Sequence, residues 1–320
     1  MKIDLSTSEN WDHLNQYFGA NARVYRGLTE AVYELTVGTA LFLRHKRSVV
    51  FIQGVSPVLH PVLPFFYKET YQVHVSRVSQ IHSAIEFVDQ LPKDVVLVAM
   101  VEDHPVTGEL FPIIDEIDML LSQKRILFLR ISHSNFWHQE LNLNPYTARV
   151  CSVGDNLAVA NFGDKFKIPS LFSHNVRLKK DEVIHEFSSE KKIASLGKEK
   201  ILSFENEMKF IGGRPFFDLN RDGMTEFRLA HRLFDRAVVE FPGIHGEMLI
   251  HRLGVDKNDV DTTNQCRWQT TQLFHQWWDH CPDLNVLRDL VIFSASWVSD
   301  EKNVESVKRT YQELLREQSW

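Results

Sequence analysis

The first segment whose residue types point to chemistry runs from Gly27 to Ala31, at the start of a helical pattern that continues to about Leu43. Backbone N–H groups at a helix N-terminus carry partial positive charge, and a threonine hydroxyl beside them adds a further hydrogen-bond donor. Together these groups favour an anion. The segment therefore predicts a cradle for a phosphate group, formed by Gly27, Leu28 and Thr29.

A second segment combines a buried strand with a tight turn. Val95 to Val101 is continuously apolar and is bounded by charged residues on both sides, which suits a strand buried on both faces. The chain then passes through Thr107-Gly108, reaches Pro112-Ile113 and enters a helical pattern. A further strand is predicted from Ile126 to Ile131.

These two segments, in this order, resemble the large domain of the fold-type-I enzymes that depend on pyridoxal phosphate (PLP). The similarity is greatest to the class V aminotransferase branch, which includes the cysteine desulfurases. Gly27 to Ala31 resembles the Gly-Ala-Thr-Glu-Ala phosphate loop of that branch. Pro105 to Gly108, with Pro112-Ile113, resembles its Asn-Glu-Thr-Gly turn and the Pro-Ile that follows. The resemblance covers roughly residues 22–135, and the segment from Leu290 to Glu317 more weakly.

The resemblance implies PLP as the cofactor, bound through its phosphate by Gly27 to Thr29. Such enzymes also need an aspartate that pairs with the pyridine nitrogen and a ring that covers the cofactor. The aspartate position falls at Ile131 or Ser132, and neither residue carries a charge. The ring-covering position falls near Ser56, where His60 is the nearest imidazole in the sequence.

A lysine that forms the Schiff base is the remaining requirement, and the resemblance places it between Val150 and Phe172. Lys165 and Lys167 lie in that region, and each either forms the Schiff base or is a solvated surface lysine. The spacing before the hairpin instead gives Asp155 at the family lysine position. We therefore expect a degenerate relative that binds another ligand or acts as the inactive partner of a related subunit. The alternative is an active PLP-dependent aminotransferase or lyase acting on an amino acid.

Histidines offer a cofactor-free alternative. The family asparagine that contacts the cofactor falls at Pro105 or His104. His104 joins His60 and His133 as a candidate general acid or base in a remodelled cleft. The chain has 15 histidines but no His-Glu-x-x-His motif. His275 and His280 are five residues apart and do not share a helix face, so we predict no metal site.

Strand and helix patterns alternate through the first half of the chain. This alternation predicts an α/β fold with a three-layer, mostly parallel sheet, the architecture of the PLP-transferase large domain. We interpret the polar stretch from Asp181 to Gly213 as a connection. The expected domains are a large domain over 1–180 and a smaller C-terminal α+β domain over 181–320. In the smaller domain the patterns predict three helices and one strand: Met224 to Val239, Gln272 to Trp278 and Val304 to Glu317 as helices, and Leu290 to Phe293 as the strand.

Composition limits the class of protein, its binding partners and its cellular compartment. The 320 residues are 43% hydrophobic and 24% charged, which excludes a disordered or fibrous chain. A net charge of -6 argues against bulk attraction to nucleic acid or to an anionic membrane. The N-terminus lacks a signal peptide pattern, and three widely spaced cysteines without a Cys-x-x-Cys pair suit a reducing compartment, so we expect a cytoplasmic protein. Fold-type-I sites are usually built between two subunits, so the resemblance implies a homodimer or a heterodimer with a related chain.

Overall fold

A computed structural model gives the fold of the chain over residues 3–4, 23–43, 47–52, 58–104, 106–133, 143–153, 157–166, 197–218, 232–255, 260–262 and 284–318. The chain divides into two compact units. The first unit comprises Met1–Asp103 and Phe111–Glu190, and the second comprises His104–Leu110 and Lys191–Trp320. The short segment 104–110 thus belongs to the second unit although both of its neighbours in sequence belong to the first.

An eight-stranded sheet organises the first unit, in the order β1-β2-β8-β7-β6-β5-β3-β4. Its strands are β1 (Ile3–Asp4), β2 (Arg23–Tyr25), β3 (Ser48–Ile52), β4 (Gln72–Ser76), β5 (Val95–Val101), β6 (Leu127–Ser132), β7 (Thr147–Val153) and β8 (Leu157–Phe162). The five strands β4, β3, β5, β6 and β7 run parallel, whereas β8 is antiparallel to both β7 and β2. The predicted α/β fold with a mostly parallel sheet is confirmed.

Four α-helices accompany this sheet in the described part of the first unit. They are α1 (Leu28–Phe42), α2 (Leu63–Lys68), α3 (Ala84–Asp89) and α4 (Ile114–Gln123), and 3-10 turns precede α2 and α3 at His60–Val62 and Val78–Gln80. All seven residues of β5 are buried, because helices cover both faces of a central parallel strand. Successive residues of a strand face opposite sides of the sheet, so Leu97, Ala99 and Val101 join α1 in one core. On α4, Ile114, Ile117 and Leu121 form the buried stripe.

A four-stranded antiparallel sheet organises the second unit, in the order β11-β12-β10-β9. Its strands are β9 (Arg214–Pro215), β10 (Arg236–Glu240), β11 (Val260–Thr262) and β12 (Leu290–Ser294). The helices of this unit are α5 (197–210 within the described residues), α6 (Gly246–Leu253), α7 (Leu284–Asp289), α8 (Ala295–Val298) and α9 (Glu301–Gln318). The rings of Phe204, Phe241, Phe293 and Tyr311 meet edge to face in its core.

Two predictions for the C-terminal half are wrong. The pattern from Met224 to Val239 predicted a helix, but residues 236–240 form β10, which pairs with β12 and whose last four residues are buried. Residues 224–231 lie outside the described residues. The stretch from Asp181 to Gly213 was expected to be a connection, but 197–210 is helical and buries Ile201, Phe204 and Met208. The segment 272–278 lies outside the described residues. The strand Leu290–Ser294 and the terminal helix Glu301–Gln318 confirm the other two predictions.

Within the described ranges, every helix is too short or too polar to cross a bilayer.

Candidate functional site at the carboxyl edge

The C-terminal ends of the parallel strands lie along one edge of the first unit's sheet, which we call the carboxyl edge. It includes the ends of β3, β5, β6 and β7. Because Tyr25 pairs with Ala158, close to the start of the antiparallel strand β8, β2 also ends at this edge. Helix α1 begins three residues later, at Leu28, so its N-terminus lies there too. Open α/β sheets bind their ligands at this edge.

The segment predicted to cradle a phosphate lies at the start of α1. Gly27 has a φ of 76°, a conformation that disfavours any residue with a Cβ, and it turns the chain into α1. The first helical hydrogen bond runs from the Ala31 N–H to the Gly27 carbonyl, so the amides of residues 28–30 precede the helical ladder. Thr29 is exposed, whereas the Leu28 side chain is buried in the core and offers only its backbone N–H. Glu30 in the same turn adds a negative charge.

The position expected to hold a carboxylate is occupied by other groups. Ser132 is the last residue of β6, is 2% exposed and lies opposite Cys151 of β7 in the sheet register. Ile131 is fully buried and contributes to the core shared with α1. A serine hydroxyl carries no charge at this position, so it supplies no counter-ion for a protonated ring nitrogen.

A histidine and an aspartate meet beside Ser132. Asp103 follows β5 by two residues and is fully buried. Its Oδ1 accepts a hydrogen bond from the His133 backbone N–H at 2.8 Å and lies 3.6 Å from Nδ1 of the same histidine. The His133 side chain is 19% exposed, and its Nδ1 is buried without a hydrogen bond to any residue that the structure describes.

Glu102, next to Asp103, is the centre of a buried ionic network. Its carboxylate accepts hydrogen bonds from Arg130 Nε at 2.8 Å and Arg149 Nε at 2.6 Å. Arg130 also contacts Asp118 and Asp115 of α4, at 3.1 and 2.7 Å. Burial alone would raise the pKa of Glu102, but Arg149 and Arg130 outweigh it, so that pKa lies below its ordinary value. Burial alone would lower the pKa of Arg130, but the carboxylates of Glu102, Asp115 and Asp118 and the hydrogen bond to Glu102 raise it.

His104 lies in the second unit. It is fully buried, and its Nδ1 accepts hydrogen bonds from the backbone N–H groups of Val106 and Thr107, at 3.3 and 3.2 Å. Its own carbonyl accepts the Gly108 N–H at 2.8 Å. The imidazole thus holds the backbone of Val106 and Thr107, because its acceptor nitrogen is occupied by their two amides. Pro105, the other residue at the family asparagine position, lies outside the described residues.

Of the two candidate lysines, the structure describes Lys165, which lies away from the carboxyl edge. Lys165 follows β8, whose last residue, Phe162, pairs with Ala148 near the start of β7. The first and last residues of β8 are five steps apart, so at about 3.4 Å per step Phe162 lies roughly 17 Å from the carboxyl edge, and Lys165 follows it. Its side chain is exposed, and its backbone N–H donates to the Pro145 carbonyl. Lys167 and Asp155 lie outside the described residues.

His60 also lies in the first unit. It is exposed at the first residue of the 3-10 turn before α2. Leu59 and Val62 on either side of it are buried in the core that includes α1. Ser56, the expected ring-covering position, lies outside the described residues.

The arrangement of these elements has known counterparts. The sequence matches no protein-family model and no curated protein. Among solved structures, a NifS-like protein is similar at 12% identity with a TM-score of 0.71, over 95% of this chain and 86% of that one. A ureidoglycine-glyoxylate aminotransferase from Bacillus subtilis is similar at 13% identity with a TM-score of 0.63, over 97% and 84%. A cysteine desulfurase from Thermococcus onnurineus NA1 is similar at 10% identity with a TM-score of 0.62, over 95% and 82%.

The chain has the type I fold of PLP-dependent transferases. The resemblance drawn from Gly27 to Ala31 and from the Thr107-Gly108 turn is confirmed at the level of the fold. In this fold Gly27, Thr29 and Ser132 lie at one edge of the sheet, and Lys165 lies at the other.

The residues that the structure describes meet only some of the requirements for binding PLP. The amides at the N-terminus of α1 suit its phosphate, but Ser132 and Ile131 supply no carboxylate for its ring nitrogen, and Lys165 is too distant for its aldehyde. The described carboxyl edge therefore does not match the requirements of PLP chemistry. Sequence reasoning missed Asp103, Glu102, Arg130 and Arg149. The available signal was the presence of charged residues within or directly after apolar strands.

No group of histidine, cysteine, aspartate and glutamate side chains in the described ranges has an arrangement suited to a metal ion.

Proposed function

We propose that this chain is a divergent member of the PLP-dependent transferase superfamily that forms no Schiff base with PLP. In this proposal the carboxyl edge binds a small molecule, or it completes a site together with a related subunit. The observation that carries the proposal is the position of Lys165, which lies at the opposite edge of the sheet from Gly27 and Thr29. A lysine there does not reach a ligand whose phosphate is held at the N-terminus of α1.

Ser132 supports the proposal independently. PLP withdraws electrons from its substrate when its ring nitrogen is protonated, and an acidic partner maintains that proton. Ser132 and Ile131 occupy the expected position of that acid and are neutral. The segment between β7 and β8 also lacks a lysine, since residues 154–156 are Gly-Asp-Asn.

Titration with PLP tests the proposal. Purified protein is mixed with PLP, and the absorption spectrum is recorded before and after borohydride reduction. We expect the spectrum of free or reversibly bound PLP and no absorption from a lysine-linked cofactor. A lysine-linked band that disappears in the Lys165→Ala/Lys167→Ala double variant, but persists in Lys124→Ala, would establish the alternative of an active aminotransferase or lyase. Lys124 is the matched control because it is also a partly exposed lysine of the first unit.

The subunit role needs a separate experiment. The tagged chain is co-expressed with a lysine-bearing homologue of the same fold, and the mass of the purified assembly is measured by light scattering. A stoichiometric heterodimer supports the subunit role. A monomer or a homodimer that leaves the homologue unbound contradicts that role and leaves ligand binding as the remaining part of the proposal.

A further inference from the structure

We infer that Asp103 and His133 form the chemical centre of the carboxyl edge, where Nε2 of His133 accepts a proton from a small ligand that bears a hydroxyl or amine group. The inference rests on the proposed function, because it names the protein group that a ligand at this edge meets. It assigns a role to two residues that PLP chemistry does not require.

The geometry fixes one side of the imidazole. Nδ1 of His133 is buried, and the buried carboxylate of Asp103 lies 3.6 Å away. A lone pair on Nδ1 directed at a carboxylate would be repelled, so the neutral ring carries its proton on Nδ1 and its lone pair on Nε2. The distance exceeds that of a hydrogen bond, and such contacts often shorten when a ligand binds.

His104 has the opposite arrangement and serves as an internal reference. Its Nδ1 accepts two backbone N–H groups, which requires the lone pair on Nδ1 and the proton on Nε2. The structure therefore predicts opposite tautomers for two histidines in one chain. The difference follows from what faces Nδ1 in each case, a carboxylate beside His133 and two amides beside His104.

The sheet holds the Asp103–His133 pair in place. Arg130 and Arg149 fix the Glu102 side chain by hydrogen bonds. Asp103 is the next residue, and it accepts a hydrogen bond from the His133 backbone N–H. The Glu102 N–H also donates to the Ile131 carbonyl at 2.8 Å, which extends the pairing of β5 and β6. Both members of the pair thus lie one or two residues beyond rigid strands. A pair positioned in this way needs little reorganisation to act on a ligand.

The proton transfer balances without a further reactant. The O–H or N–H bond of the ligand breaks, its electron pair stays on the ligand, and a new N–H bond forms at Nε2 of His133. The resulting imidazolium is stabilised by the Asp103 carboxylate, because the interaction at Nδ1 becomes one between opposite charges. The proton returns from Nε2 to the ligand when the ligand is released.

Nitrogen NMR of the full chain, labelled at the histidine side chains, tests the tautomer directly. His133→Gln and His104→Gln assign the two rings. At a pH where both are neutral, we expect a protonated Nδ1 in His133 and a protonated Nε2 in His104. A protonated Nε2 in His133 would overturn the inference, whatever the outcome of the PLP titration, because this readout does not depend on PLP.

Reaction with diethyl pyrocarbonate tests the reactivity of Nε2. The Nε2 lone pair attacks a carbonyl carbon of the reagent, and ethanol and carbon dioxide leave; mass spectrometry then measures the rate at each histidine. We expect modification of His133, slowed by about tenfold in Asp103→Asn, the effect of losing one charge-assisted interaction. Asparagine preserves the oxygen that accepts the His133 N–H, so the variant keeps the fold.

Asp300→Asn is the matched control, because the Asp300 carboxylate also accepts a backbone N–H, from Lys302 at 3.0 Å. It should leave the His133 rate unchanged, and the exposed His74 should react equally in all three proteins. An unmodified His133, or an equal rate in wild type and Asp103→Asn, would contradict the inference.

Discussion

Replacing Glu102 by glutamine perturbs the buried network at its centre. The side chain keeps its size, so no cavity forms and the cost is electrostatic. Glu102 accepts from Arg130 Nε at 2.8 Å and from Arg149 Nε at 2.6 Å, and it is fully buried. A glutamine presents an N–H₂ group to one of these arginines and removes the negative charge from between them.

The magnitude follows from what remains. Removing one member of a buried ionic network costs about 3–5 kcal/mol. We expect the lower part of this range, because Arg130 keeps its contacts with Asp118 and Asp115. A loss of about 3 kcal/mol in the free energy of unfolding corresponds to a change of more than about a hundredfold in an equilibrium constant.

Hydrogen exchange measured by mass spectrometry is the assay, because it reports on the first unit alone. Peptides that cover β5 and β6 should exchange more than about a hundredfold faster in Glu102→Gln if their exchange proceeds by unfolding. The control is Asp89→Asn, which breaks the exposed pair with Lys124 at 2.7 Å and should change stability by less than about 1 kcal/mol. Equal exchange in Glu102→Gln and Asp89→Asn would refute the reasoning.

Three further predictions concern pH, backbone packing and the second unit. The pKa of Glu102 is lower in the folded chain than in the unfolded chain, where it is about 4.3. The stabilisation by the Glu102 carboxylate is therefore complete above the unfolded-state pKa and is lost as the pH falls through the folded-state pKa. The difference in stability between wild type and Glu102→Gln should shrink on acidification. Gly163→Ala places a Cβ in steric conflict with the backbone carbonyl oxygen of Asn144, so denaturant unfolding should show a greater loss of stability than for Gly254→Ala, where only the φ of 65° opposes the new side chain. Glu205→Gln leaves the fully buried Arg232 without its carboxylate partner at 2.7 Å and should destabilise by about 3 kcal/mol in urea unfolding.

The first unit was predictable because its signals are local. The apolar run of β5 and the stripe of Ile114, Ile117 and Leu121 on α4 follow the periods of a buried strand and an amphipathic helix. The helix at 197–210 was missed because lysines and glutamates surround its three buried apolar residues, which hides the stripe in the sequence. Residues 236–239 were predicted as helix because strand pairing with β12 is a long-range contact that periodicity does not report.

The candidate site was predictable only in part. Gly27 and Thr29 belong to a continuous motif at a helix start, and the structure retains that arrangement. Asp103 and His133 are 30 residues apart and meet only through the register of β5 and β6. The position of Lys165 depends on the direction of β8, since a strand antiparallel to β7 carries the following residues to the opposite edge. Register and direction are set by sheet assembly, which residue spacing alone does not specify.

Borohydride reduction in the presence of excess PLP, followed by intact-mass measurement and peptide mapping, tests the central claim most directly. The account predicts that no lysine of the described carboxyl edge acquires the cofactor and that any adduct at Lys165 remains at the trace level of other exposed lysines such as Lys124. Stoichiometric labelling of a single lysine, with protection by an added amino acid, would contradict it.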